Sequence, residues 1–175
     1  MFLMTLRWMA GAFGLLGFLL VWAGTVWAQQ QRLEVEEPLK SELNALLKGA
    51  VELHEALFER KPEHELRLAL DNLDQALGRA QRLAGSGGIQ RVHVDSVLTA
   101  ARSHLELVQQ REGAERMRHM RELFRALVQV NQSFDLDRYR VFFCSRDRAV
   151  WLQSGWQVRN PFEPKRGGGC GQAVR

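Results

Sequence analysis

Motifs that would identify an enzyme or a cofactor-binding protein are missing from this chain of 175 residues. There is no Cys-x-x-Cys-His sequence, which excludes covalent attachment of a c-type haem. The five histidines do not form His-Glu-x-x-His or another spacing that is diagnostic of zinc. The chain also lacks a phosphate-binding glycine loop, a nucleophile–base pair and a carboxylate dyad in an apolar context. The sequence therefore predicts that the protein is not an enzyme.

A large excess of charge of one sign is also lacking. The chain has 24 lysines and arginines against 20 acidic residues, a net charge of +4, and the two signs are interspersed. The most basic run, from Arg116 to Arg125, is interrupted by Glu122. We interpret that run as a solvated helix face and expect no nucleic-acid partner.

Cysteine is scarce, since Cys144 and Cys170 are the only two and both lie near the C-terminus. In a secreted domain such a pair is typical of a disulfide, which chain-entropy arguments value at about 3 to 4 kcal/mol. One alternative is a pair of reduced thiolates that binds a soft metal such as Cu(I). A further alternative is two separate free thiols.

The N-terminus has the pattern of a targeting segment. Arg7 is the only charged residue before Arg32, and the run from Trp8 to Ala28 is uncharged and mostly apolar. Because Val26-Trp27-Ala28 resembles a signal peptidase site, we expect residues 1–28 to be a signal peptide that is cleaved after Ala28. The alternative is an uncleaved membrane anchor. Either way the rest of the chain is predicted to be periplasmic or secreted, and the absence of a cysteine after the apolar run argues against a lipoprotein anchor.

Four helical segments follow, and residues 36–134 are predicted to form a four-helix bundle. Apolar residues recur at spacings of three and four in each segment. Lys61-Pro62, Gly85-Ser86-Gly87-Gly88 and Gly113 separate the segments. Since these connections are short, neighbouring helices should run antiparallel in an up-down bundle, which makes the fold mainly α.

The pattern changes in residues 135–175, which we expect to form a tail that packs on the bundle. Tyr139 to Phe143 and Ala149 to Gln153 are short and rich in aromatic and β-branched residues, which predicts two short strands or extended segments. The aromatic side chains expected to anchor the tail are those of Phe142, Trp151, Trp156 and Phe162.

Among the helices, two groups of residues could bind a metal but are better explained by packing. His54 lies on the apolar stripe of the first helix and His104 borders that of the third, as satisfied core or boundary histidines often do. Met117, His119 and Met120 together could bind Cu(I). We expect the two methionines to belong to the core and His119 to point elsewhere.

The tail resembles the closing signature of a bacterial periplasmic family of unknown function. The resemblance rests on Cys144, Trp151-Leu152, Arg159-Asn160-Pro161-Phe162 and Cys170-Gly171. Members combine a signal peptide, a helical bundle and a cysteine-containing tail. They occur alone or fused to adaptor subunits of copper and silver efflux systems.

The chain departs from that family at the sulfur-rich positions. Ser145-Arg146 stands where the family has Pro-Met, Phe162 replaces a tyrosine, and Gly167 stands at the second methionine. If those methionines bind copper in the family, this protein binds it poorly, and a disulfide suits the remaining cysteines better.

The resemblance implies a non-enzymatic periplasmic accessory or binding protein associated with copper-type metal handling. Its partner would be a heavy-metal efflux complex or another envelope protein. It would have no resident cofactor, with Cu(I) as the one metal to consider. The alternative is a structural or protein-interaction bundle that has a stabilising disulfide and no metal. Contact with a membrane is expected only through an uncleaved N-terminal segment.

Overall fold

The computed structural model describes residues 32–85, 89–137, 139–163 and 169–174, with the side chains of residues 89–91 excepted. The predicted signal peptide, residues 1–28, lies outside the described residues, as does Gly167.

Four α-helices form the body of the protein, as the apolar spacing predicts. Each helix packs against the next one in the chain, which confirms the predicted helical bundle. Pro62 directly precedes the second helix, and its carbonyl oxygen accepts hydrogen bonds from the amides of Glu65 and Leu66. The helices are α1 (Leu39–Phe58), α2 (Glu63–Ala84), α3 (Ile89–Gln110) and α4 (Gly113–Ser133).

A small antiparallel sheet follows the bundle. Its strands are β1 (Arg140–Cys144), β2 (Ala149–Gln153) and β3 (Gln172–Val174), in the spatial order β2-β1-β3. Phe142 on β1 lies opposite Trp151 on β2 and Ala173 on β3. The first two strands agree with the sequence pattern, whereas β3 was not predicted.

The sheet shares one hydrophobic core with the helices. Strand β2 packs against both α4 and α1, and Trp151 and Leu152 on that strand are fully buried. Phe142 is only 2 % exposed and belongs to the same cluster of side chains. The tail thus supplies part of the core.

Three predicted side-chain positions were wrong. Trp156 is 74 % exposed, because its loop turns away from the core and the guanidinium of Arg140 covers the indole at 3.5 Å. His119 is buried whereas Met117 is only half-buried. His119 is buried because its ring lies beside that of His104 where α4 packs against α3.

Within the part of the chain that the structure describes, no helix combines the length and the apolar character that a membrane span requires.

Candidate functional site in the C-terminal tail

The two cysteines form a disulfide that closes the tail, which confirms the prediction. Their Cα atoms lie 5.3 Å apart, within the range that a disulfide requires. Cys144 ends strand β1 and is fully buried, while Cys170 is partly exposed just before β3. The bond therefore holds the edge strand β3 beside β1. Because both sulfur atoms are oxidised, neither is a thiolate that could bind a metal.

Trp151 explains why glycine follows Cys170. The indole ring is stacked on Phe142 with 5.9 Å between the ring centroids. A Cβ atom at Gly171 would lie 2.8 Å from Cη2 of Trp151 and 2.6 Å from Cγ1 of Val158. Both distances are too short for ordinary packing, so the backbone passes the tryptophan only where no side chain is present.

Gln153 organises the loop that follows β2, and the sequence analysis missed it. Its side chain is almost completely buried, and its Oε1 accepts hydrogen bonds from the indole nitrogen of Trp151 and the amide of Arg159. Its Nε2 donates to the carbonyl oxygens of Gly155 and Gln157 at 2.9 and 2.7 Å. The amide is thus fully paired and fixes the loop on both sides of Trp156. One sequence feature could have indicated this role: a polar residue lies two positions after Trp151 and therefore on the same face of the strand.

Asn160 fixes the second turn of the tail. It is fully buried, its Nδ2 donates to the carbonyl oxygen of Cys170 at 3.1 Å, and its Oδ1 accepts from the amide of Phe162 at 2.9 Å. Pro161, also buried, lies between these two contacts. The Asn-Pro-Phe sequence therefore forms a turn whose asparagine holds the disulfide strand in place.

Phe162 connects the tail to α4. Its ring meets the ring of Phe124 edge to face with 5.9 Å between the centroids, and the guanidinium of Arg121 lies 5.0 Å above it. In the same region Arg146 pairs with Glu163. The four residues predicted as the packing motif, namely Trp151, Asn160, Pro161 and Phe162, thus all lie in or against the core.

Arg159 and His54 connect the tail to α1. Nε2 of His54 donates a hydrogen bond of 2.6 Å to the carbonyl oxygen of Arg159. The side chain of Arg159 pairs with Glu55 and Glu59, and its guanidinium lies 4.4 Å above the ring of Phe58. Helix α1 and Glu59, which directly follows it, thus offer one histidine, two carboxylates and one aromatic ring to a single residue of the tail.

Burial determines the protonation of His54. The side chain is fully buried, and this desolvation lowers the pKa of His54 below its ordinary value of 6.5. The hydrogen bond to Arg159 and the carboxylate of Glu55, whose Oε1 lies 3.5 Å from Nδ1, act in the opposite direction. His54 is therefore neutral at pH 7 and donates through Nε2.

The other sequence candidates do not form one group. Among the described residues, no three histidine, cysteine, aspartate or glutamate side chains are placed to hold a metal ion together. His104 on α3 instead lies next to His119 on α4, with 5.7 Å between their ring centroids.

No family model, curated protein or solved structure matches this chain. The fold and the tail define a four-helix bundle that a disulfide-bonded C-terminal sheet completes. The resemblance of the tail to the periplasmic family stays a prediction.

Proposed function

We propose that this protein is a non-enzymatic accessory protein of the periplasm, or of another extracytoplasmic compartment, that docks onto an envelope protein through its tail. The observation that carries the proposal is the exposed indole of Trp156. A heavy-metal efflux complex is the partner class suggested by the tail's resemblance. The disulfide fits the compartment, because such bonds persist in oxidising surroundings.

The loop that carries Trp156 is held by polar contacts on both of its sides. Gln153 binds the carbonyl oxygens of Gly155 and Gln157. The guanidinium of Arg140 stacks on the indole and also donates to the carbonyl oxygen of Ser154 at 2.6 Å. Tryptophan and arginine are enriched among the residues that dominate binding energy. A loop that is already ordered loses less conformational entropy when it binds.

A photo-crosslinking residue at position 156, introduced in cells that make the protein, tests this proposal. The matched control is the same residue at Leu68 on α2, which is 60 % exposed. We expect one envelope protein to be captured from position 156 and not from position 68. Trp156→Ala should remove binding of that protein and leave the thermal unfolding unchanged. Identical adducts from both positions, or none from 156, would show that the indole is not a docking element.

Copper handling by the tail is the second candidate function. The fold brings the two sulfur atoms of the tail together at Cys144 and Cys170, and Cu(I) prefers such soft donors. Since oxidised cysteines offer no thiolate, this function requires reduction of the disulfide. The free-thiol and copper measurements described in the Discussion separate it from the docking function.

A further inference from the structure

The edge strand β3 contributes no side chain to the hydrophobic core. Its three residues, Gln172, Ala173 and Val174, are all exposed. Among the described residues, the strand pairs with residues 141–143 of β1 and with no other strand. Hydrophobic burial is the dominant stabilising effect for most elements of a fold. The attachment of β3 therefore depends on other contacts.

The contacts that hold β3 lie just before it in the chain. The disulfide fixes Cys170 beside Cys144 at the end of β1, and the carbonyl oxygen of Cys170 accepts a hydrogen bond of 3.1 Å from Asn160. Ordering one residue costs at least as much free energy as one backbone hydrogen bond returns on average. Pairing over three residues is therefore marginal by itself, and the disulfide is the contact that keeps β3 on β1.

The rest of the sheet is held without β3. Strand β1 pairs with β2 along its whole length, from Arg140 to Cys144. Strand β2 in turn packs on α4 and α1 and buries Trp151 and Leu152 completely. The hairpin of β1 and β2 would therefore stay on the bundle if β3 left, and the side of β1 that faces β3 would become an unpaired edge.

The two cysteines of the disulfide differ in their access to a reductant. Cys144 is fully buried, whereas Cys170 is partly exposed. A disulfide is exchanged when a thiolate reaches one of its sulfur atoms, and the other sulfur is then the leaving group. The difference in burial directs the attack to Cys170 and makes Cys144 the leaving group.

We propose that the Cys144–Cys170 disulfide is a redox-sensitive switch that controls access to the edge of β1. A thiolate of a dithiol protein attacks Sγ of Cys170, the sulfur–sulfur bond breaks, and Cys144 leaves with the electron pair and takes up a proton. The second thiolate of the dithiol attacks the mixed disulfide and releases Cys170, which is protonated in turn. The dithiol is thereby oxidised to a disulfide, and both cysteines of this protein are reduced.

Reduction changes which backbone groups of the sheet are free. With the disulfide intact, β3 occupies the outer side of β1 over residues 141–143. After reduction β3 leaves, and the backbone groups of β1 that it had paired face solvent. An unpaired strand edge is a template for pairing with another chain. The oxidised protein thus keeps this edge covered with its own C-terminal strand, and the reduced protein presents it.

Amide hydrogen exchange of the exported protein tests the switch, with dithiothreitol as the dithiol and a chelator that removes copper. We expect the β3 amides that are protected in the oxidised protein to exchange, after reduction, within about tenfold of the rate of an unstructured peptide. Amides of α1 and β2 should stay protected and are the control within the same sample. Removal of dithiothreitol and reoxidation should restore the protection of β3.

Cys170→Ser gives the same comparison without a reductant. Because Cys170 is partly exposed, this variant disturbs the core less than a change at Cys144, and its β3 amides should exchange as in the reduced wild type. Three results would overturn the switch: a disulfide that dithiothreitol leaves intact in the folded protein, protection of β3 that survives reduction, or helices that lose protection together with β3. The result is independent of the docking proposal, which rests on Trp156, and of the copper candidate, since copper is removed.

Discussion

Nε2 of His54 lies 2.6 Å from the carbonyl oxygen of Arg159, and this hydrogen bond joins residues that are 105 positions apart. It is one of the contacts through which the tail packs on α1. Because the histidine is fully buried, its protonation affects the packing of the tail on α1.

Acidification below about pH 6.5 should lower the free energy of unfolding. The pKa of His54 is lowered by burial, so the folded protein binds fewer protons than the unfolded chain just below 6.5. The stabilisation from the neutral ring is therefore complete above the unfolded pKa and is lost as pH falls toward the folded pKa. Denaturant unfolding between about pH 7.5 and about pH 5.5 measures the effect.

The variant His54→Gln separates this histidine from the other titrating groups. It should be less stable at pH 7 by about 1 to 3 kcal/mol, because the flexible glutamine does not fill the space of the buried imidazole and its amide is held less firmly against the carbonyl oxygen of Arg159. Its stability should also change less between the two pH values. An equally steep dependence in the variant would assign the pH effect to groups other than His54.

Gly171→Ala should destabilise the protein by about 1 to 3 kcal/mol, the usual cost of overpacking. The added methyl group would meet Trp151 and Val158 at 2.8 and 2.6 Å. Gly155→Ala is the matched control, since a Cβ there has no neighbour within 4 Å, and it should change stability by less than about 0.5 kcal/mol. Chemical denaturation measures the stability of both variants. Equal effects would show that the tail shifts enough to accommodate the methyl group at position 171.

The isolated protein should contain no free thiol and should bind Cu(I) only weakly. Cys144 and Cys170 are bonded to each other, so thiolates appear only after reduction. Reduction should expose a two-thiolate Cu(I) site that Cys144→Ser abolishes, and should cost about 3 to 4 kcal/mol of stability by the chain-entropy argument. A thiol assay and competition with a Cu(I) chelator measure these effects.

A variant that has methionine at the two positions where the family has it tests the resemblance directly. Arg146→Met with Gly167→Met should raise the Cu(I) affinity of the reduced protein if the family motif is a copper site. Tight, stoichiometric binding of Cu(I) by the oxidised wild type would instead place the copper site outside the cysteine pair. Met117, His119 and Met120 would be the next residues to mutate.

A fragment of residues 33–134 should be strongly helical by circular dichroism, because the four apolar stripes bury against each other. It should be less stable than the protein with its tail by at least about 3 kcal/mol, since it lacks buried aromatic side chains such as Trp151 and Phe142. A random-coil spectrum would mean that the helices do not fold without the tail.

The sequence by itself determined the four helices, the first two strands and the covalent bond. Apolar residues at spacings of three and four predicted all four helices, and short β-branched and aromatic segments predicted β1 and β2. These features are local, because the periodicity of a helix or a strand can be recognised from residues that are close together in the sequence. The disulfide was predictable from two cysteines in one irregular region of a chain that is predicted to be secreted.

The tertiary structure alone decided which side chains meet. The exposure of Trp156 was not predictable from its aromatic character, because it depends on how Gln153 turns the loop. His119 is buried where α4 packs against α3, beside His104, and no pattern within the helix contains that information. The same holds for strand β3, for the contact of His54 with Arg159 and for the pair of His104 with His119. Each depends on the path of the chain between distant segments, which local propensity does not specify.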